Sequence, residues 1–239
     1  MKKTLFLALL LTIIGSPVAL AGLQLGATRV IYPEQDKSTS VSVINGSGDK
    51  PYLVQAMVNT PGFTESHAFT VLPPLFRLER GGSHELRIIK SGDDLPKDRE
   101  SLNWLTVRGV ATSEGLSDSQ ANGTAAAADV SLGVGLNIKL LWRPSGLTMS
   151  WRDGMKGLQI SRTTKGLKLT NSSPYYMSFS SLEVGGKTVI GRGSRISDVT
   201  LAPFSNQEIS TEAMAPAAKA TWRVINDYGA SETFTGTVL

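Results

Sequence analysis

Two cations stand inside apolar, strand-like runs, where charges are seldom placed: Arg29 in Thr28-Arg-Val30 and Lys139 in Ile138-Lys-Leu140. If the two runs are neighbours, a guanidinium and an ammonium converge and can hold an anion such as a carboxylate by charge-assisted hydrogen bonds. The other reading is that each side chain snorkels from an edge strand to solvent. Pairing decides between them, and the sequence leaves it open. Covalent chemistry has less to work with. His67 and His84 lie in polar surroundings beside turns and fit no H-E-x-x-H or other metal-ligand spacing. There is no G-x-S-x-G elbow and no G-x-x-x-x-G-K-S/T phosphate loop. Gly133-Val-Gly135 lies inside a strand and lacks the third glycine of a dinucleotide motif. The carboxylates are scattered, and Asp93-Asp94 reads as a solvated turn. No catalytic residue, metal site or cofactor is expected.

The element that would carry Lys139 is unusual. Large apolar residues stand at Val130, Leu132, Val134, Leu136, Ile138, Leu140 and Trp142. This is strict period-two alternation, the mark of a strand with one apolar face. At about 3.3 Å per residue it would be roughly 43 Å long, against a usual five or six residues. The preceding stretch, Ala111 to Asp129, is a long polar connection with one large apolar residue, Leu116. The beginning of the strand, Val130 to Leu136, is therefore expected to be the uncovered part. An exposed edge beside an apolar row is a hazard that a protein keeps when it lends a strand to a partner's sheet. Equally, the strand could pack within its own sandwich and the loop could be an insertion without function.

The rest of the chain supplies a scaffold. Met1-Lys-Lys3, an apolar run from Thr4 to Ile14 and Ala19-Leu-Ala21 read as a secretory signal peptide, residues 1–21, with the mature chain starting at Gly22. The 239 residues then leave 218, enough for two domains, and loss of Lys2 and Lys3 brings the net charge from +4 to +2. That balance gives no footprint for nucleic acid. There are no cysteines, so an exported chain must rely on apolar cores, and the periplasm suits it. The Asn-x-Ser/Thr matches at Asn45, Asn122 and Asn171 are then chance. Strand signals recur every eight to twelve residues with turns between them, and this predicts an all-β sandwich pattern twice over. Pro73-Pro74 marks a sheet edge or a switch between sheets. Arg80-Gly-Gly-Ser83 reads as a hairpin-type connection, and Arg143-Pro-Ser-Gly146 stops the long strand near the domain boundary.

Seven stretches, in order, resemble the periplasmic pilus-assembly chaperones of the chaperone–usher pathway (PapD-like). They are Gly26-Ala-Thr-Arg-Val-Ile-Tyr32, Pro51-Tyr-Leu-Val-Gln-Ala56, Pro73-Pro-Leu-Phe-Arg-Leu-Glu79 and Leu95-Pro-Lys-Asp-Arg-Glu-Ser-Leu-Asn-Trp104. Ile138-Lys-Leu-Leu-Trp-Arg-Pro144, Asn171-Ser-Ser-Pro-Tyr-Tyr176 and Ile225-Asn-Asp-Tyr-Gly229 complete the set. Each is weak alone, and the ordered set spans nearly the whole mature chain.

The resemblance implies two immunoglobulin-like β-sandwich domains, residues 22–146 and 147–239, arranged as an L with a cleft between them. It implies a non-enzymatic, ATP-independent chaperone of pilus or fimbrial subunits, which lack a final strand. The donor row would be Val130, Leu132, Val134, Leu136 and Ile138. Arg29 and Lys139 would anchor the subunit's C-terminal carboxylate. Glu100, Arg143 and Asp227 would form an ionic network holding the interdomain angle. An outer-membrane usher would receive the complex, and an uncovered apolar row favours self-association of the free protein. The loop from Ala111 to Asp129 is longer than in the short-loop branch of the family, yet the cysteine pair that usually flanks it in the long-loop branch is absent, so the branch stays open. Two competing readings are a structural subunit or adhesin of the fibre, and an exported carbohydrate-binding or hydrolytic sandwich. The first needs a longer N-terminal extension than Gly22-Leu-Gln-Leu-Gly26, and the second needs an aromatic or acidic cluster that is not evident.

Overall fold

Alternating apolar and polar runs become strands along most of the chain. The computed structural model describes residues 22–46, 50–92, 94–112, 133–194, 199–212, 215 and 217–239. The expected signal peptide, most of the polar connection before the long strand, Asn122, Val130 and Leu132 lie outside the described residues. The first half carries β1 (Leu23–Leu25), β2 (Arg29–Pro33), β3 (Thr39–Asn45), β4 (Tyr52–Asn59), β5 (Phe69–Leu72), β6 (Leu75–Leu78), β7 (Ser83–Lys90), β8 (Ser101–Ala111) and β9 (Gly133–Arg143). They form two sheets, in the orders β1-β3-β7-β5 and β2-β9-β8-β4-β6. The second half carries a short helix, α1 (Trp151–Lys156), and then β10 (Gln159–Thr163), β11 (Gly166–Asn171), β12 (Met177–Val184), β13 (Lys187–Ile190), β14 (Thr200–Leu201), β15 (Ser205–Ser210), β16 (Lys219–Ile225) and β17 (Ser231–Thr237). Its sheets run β10-β11-β15 and β13-β12-β16-β17, with β14 pairing to β12. The chain is thus two immunoglobulin-like β-sandwiches in series.

Each sandwich closes on its own core. The first packs Tyr32, Val43, Val54, Leu86, Ile88, Leu105, Leu140 and Trp142 between its sheets. The second packs Leu167, Met177, Phe179, Leu182, Trp222 and Val224. Their separation follows from the alternation, which gives every strand one inward row.

Pro73-Pro74 does switch sheets: β5 is the edge of one and β6 the edge of the other, so neither proline removes a bond from a central ladder. The connection from Arg80 to Ser83 is not a hairpin. β6 pairs with β4, whereas β7 pairs with β3 and β5, so the chain crosses from sheet to sheet there. The reason is that Leu78 and Leu86 both point to the core from opposite sheets. The helix α1 was not anticipated. Its signal was present: the Ser150 hydroxyl accepts from the Asp153 N–H at 3.1 Å, a side-chain N-cap with an acidic residue in the first turn.

Two of the three Asn-x-Ser/Thr asparagines are structural. Asn45 and Asn171 are buried. The Asn171 amide donates to the Tyr175 and Ala202 carbonyls, both at 2.8 Å, and its oxygen accepts from the Ser173 N–H and hydroxyl. A methyl in its place would leave several buried backbone groups unpaired, each worth about 1–3 kcal/mol. Asn171→Ala is therefore expected to lower stability by about 2–4 kcal/mol in urea unfolding of the second sandwich. A loss below about 0.5 kcal/mol would show that water replaces the amide.

Candidate functional site at the domain junction

β2 runs parallel to β9 with Arg29 opposite Lys139 and Pro33 opposite Arg143. The two cations are therefore neighbours on one face of the sheet, and the choice left open by the sequence falls to convergence. Neither snorkels to bulk solvent. Both reach the second sandwich. Arg29 is buried, its Nη1 donates to the Ile225 carbonyl at 2.9 Å, and its buried Nε has no partner among the described residues. Lys139 Nζ donates to the hydroxyls of Ser178 at 2.8 Å and Thr200 at 2.6 Å. Among the described residues, neither cation contacts a carboxylate.

That arrangement is electrostatically costly. Burial, helped by the neighbouring Arg29 charge, lowers the Lys139 ammonium to about 8. Burial also lowers Arg29, although Asp227 and Glu100 act in the opposite direction from a distance. Two positive groups and a guanidinium N–H thus stand among neutral oxygens, with their charge uncompensated among the described residues.

A second charged cluster lies close by and is fully paired. Arg143, at the end of β9, donates from Nη1 and Nη2 to the two carboxylate oxygens of Asp227 at 2.6 and 2.8 Å. Its Nε donates to Glu100 at 2.8 Å, and the other Glu100 oxygen accepts from the Tyr176 N–H at 2.8 Å. Burial pushes the Glu100 carboxyl up, opposed by Arg143 and by that N–H. For Arg143, burial disfavours the charge but Asp227 and Glu100 outweigh it, so its affinity for the proton rises. Three residues from the two sandwiches, Glu100, Arg143 and Asp227, thus share one network. Close approach continues at Gly229, whose φ of +81° suits glycine, and a Cβ there would lie 2.5 Å from the Thr28 hydroxyl.

The long strand divides at the same place. β8 pairs antiparallel with β9 along its whole described length, from Val110 opposite Gly133 to Ser101 opposite Trp142. β2 covers the other edge only from Lys139 onward. Among the described residues, no strand pairs with 133–138 on that side. Val134, Leu136 and Ile138 share the inward face and are only partly buried, whereas Leu140, Leu141 and Trp142 are buried. Gly135 has nothing within 4 Å of where a Cβ would stand, so its outward face is open.

The sequence missed the oxygens. Ser178 stands between Met177 and Phe179 in an apolar strand, and Thr200 precedes Leu201. A buried hydroxyl in such a run was the available signal. The Ile225 carbonyl leaves no trace in sequence at all.

Comparisons with known proteins agree on one family. Residues 22–148 match the family described as pili and flagellar-assembly chaperone, PapD N-terminal domain, and residues 153–235 match pili assembly chaperone PapD, C-terminal domain. The chain is 34% identical over 209 residues to the probable fimbrial chaperone protein ElfD of Escherichia coli K12, covering 87% of this chain and 83% of that one. It is 35% identical over 228 residues to chaperone protein PsaB of Yersinia pestis, covering 90% and 83%. It superimposes with a TM-score of 0.75 and 32% identity on a chain from the Salmonella enterica SafA pilin–SafB chaperone complex, covering 94% and 100%.

The lowered Lys139 makes a stability test. The unfolded chain takes up this proton at an ordinary lysine value, near 10.5, and the folded chain only near 8. Between those values the unfolded state binds more protons, so this group's cost to the fold accumulates as pH falls from 10.5 towards 8 and is complete below that. Lys139→Met, which removes the charge, is expected to be more stable than wild type by about 1–3 kcal/mol at pH 7. The advantage should fade by pH 10.5. A less stable Lys139→Met at pH 7 would mean that the hydroxyl bonds outweigh the desolvation.

Proposed function

The chain belongs to the PapD family of pili-assembly chaperones, and from that premise we propose that it is a periplasmic, strand-donating chaperone of pilus subunits. The observation that carries this reading is the open edge of β9, residues 133–138, ending at a paired Arg29 and Lys139 with an orphaned guanidinium N–H. In this reading residues 1–21 are a signal peptide removed on export, the mature chain starts at Gly22, and the two units span 22–146 and 147–239.

The geometry of a guest strand follows from the edge. β2 occupies the edge from residue 139 onward, so a guest can lie only along the earlier part of β9. Its carboxylate sits at Arg29 and Lys139, so its last residues lie near Ile138 and its earlier ones toward Gly133. The guest therefore runs parallel to β9 and in line with β2. Backbone N–H and C=O groups along the open edge continue the ladder, each bond adding about 0.5–1.5 kcal/mol net. Val134, Leu136 and Ile138, with Val130 and Leu132 before them, fill the gap in the subunit's core. Completing the burial of each is worth about 1 kcal/mol at about 25 cal/mol per Å². A slip by one residue would turn the row away from the groove, so the carboxylate anchor also fixes register.

The network of Arg143, Glu100 and Asp227 holds the second sandwich against β9 and performs no chemistry. Nucleotide is not needed, since the ladder and the burial drive the step. An outer-membrane usher then receives the complex, and the next subunit's N-terminal extension replaces the donor strand.

The test is co-expression with candidate subunits from the same genome. Arg29→Ala and Lys139→Ala are expected to be exported and folded, yet to leave subunits degraded, with recovery at least tenfold below wild type. Val134→Asp with Leu136→Asp, which place charges in the donor row, should do the same. Normal recovery with both cation variants would overturn the anchor, and normal recovery with the double Asp variant would overturn strand donation.

A further inference from the structure

Asn137 is the only polar side chain in the unpaired stretch 133–138 of β9. It is exposed and, two residues before Lys139, shares the outward face with it. Its amide is not free to turn. Asn59 Nδ2 donates to the Thr106 hydroxyl at 2.8 Å, and that hydroxyl donates to Asn137 Oδ1 at 2.7 Å. The amide nitrogen of Asn59 can only donate, so the single proton of Thr106 must go on to Asn137, which meets it with oxygen. Asn59 and Thr106 are buried, and the chain of bonds crosses from β4 to β8 on a diagonal and from β8 straight across to β9. Asn137 is thereby held with Nδ2 outward, and that N–H pair has no partner among the described residues. A donor locked in place loses less entropy on binding than a mobile one.

This inference rests on the strand-donation reading and adds to it. With Arg29 opposite Lys139, a parallel guest that ends against β2 sets its last two residues opposite Asn137 and Ile138. Side chains of facing residues on neighbouring strands stand about 4.8 Å apart on the same face. Capture of a carboxylate reads no sequence, because every chain has one. We propose that Asn137 supplies sequence selection: its Nδ2 donates to a hydrogen-bond acceptor on the side chain of the penultimate subunit residue, which faces it on the same side of the sheet. Asn137 is then a specificity-determining residue, and Thr106 is the residue that positions it.

The test uses the full mature protein and 14-residue peptides copied from the C-terminus of a subunit that it protects. The penultimate residue is replaced by O-methylserine, which only accepts, or by norvaline, which has the same shape and no acceptor. Wild type is expected to bind the O-methylserine peptide about three- to tenfold more tightly, the size of one hydrogen bond. Asn137→Leu should abolish that preference. Asn137→Asp, which keeps the Thr106 bond but presents no donor, should abolish it too, and Thr106→Val should reduce it with Asn137 intact. Thermal melting checks that each variant is folded. Equal preference in wild type, Asn137→Leu and Asn137→Asp would overturn the role of Asn137. Peptides with an amidated C-terminus should bind wild type and all three variants more weakly; if they bind as well as the free acids, it is the carboxylate anchor that fails.

Discussion

The site depends on β2 pairing with only the last five residues of β9. A parallel neighbour needs its N–H and C=O groups met along its length, and β2 meets them from Lys139 to Arg143 and stops. Everything beyond is a consequence of that stop. Among the described residues the edge before it is open, the apolar row on that stretch is half covered, and the two cations stand where the pairing with β2 begins. Had β2 begun six residues earlier, β9 would be an ordinary interior strand of its own sandwich.

Charge is divided to suit. Five ionisable groups crowd the junction, and the two carboxylates are both committed to Arg143. Its bidentate bond to Asp227 and its bond to Glu100 satisfy the guanidinium, which makes that cluster an inward-looking tie between sandwiches. Arg29 and Lys139 are left with a backbone carbonyl and two hydroxyls, which orient them without cancelling their charge. The cost appears in the lowered proton affinity of Lys139, and on the proposed reading it is the cost that a site for an anion carries before the anion arrives. The same division explains why the two arginines differ although each lies at the same interface.

Much of this was legible in the chain itself, for identifiable reasons. Period-two alternation marks strands wherever one face is buried, so the all-β pattern and the excess length of β9 are legible before any pairing is known. Pairing partners were not visible. The register that sets Arg29 beside Lys139 is a property of two segments 110 positions apart, and only the ordered family-like motifs pointed to it. The crossover at Arg80 to Ser83 was misread because a glycine-rich turn looks the same whether its strands pair or part. The helix at 151–156 was overlooked because six residues show little periodicity, and only its Ser150 cap announces it. Ser178, Thr200 and the Ile225 carbonyl belong to the site through the packing of one sandwich on another, which local pattern does not encode.

On the proposed reading, the end-to-end placement of a guest strand and β2 has a consequence for what the open edge refuses. An unprotected strand edge invites any extended, apolar stretch of unfolded polypeptide. Here, a segment from the middle of some other protein has more chain to come, and that chain would run into Arg29 and the start of β2. Only a polypeptide that stops can fit, and stopping is also what produces the carboxylate. On the proposed reading the junction therefore works as a detector of chain ends, which lets a sticky edge persist in a crowded compartment while ignoring most of what passes it.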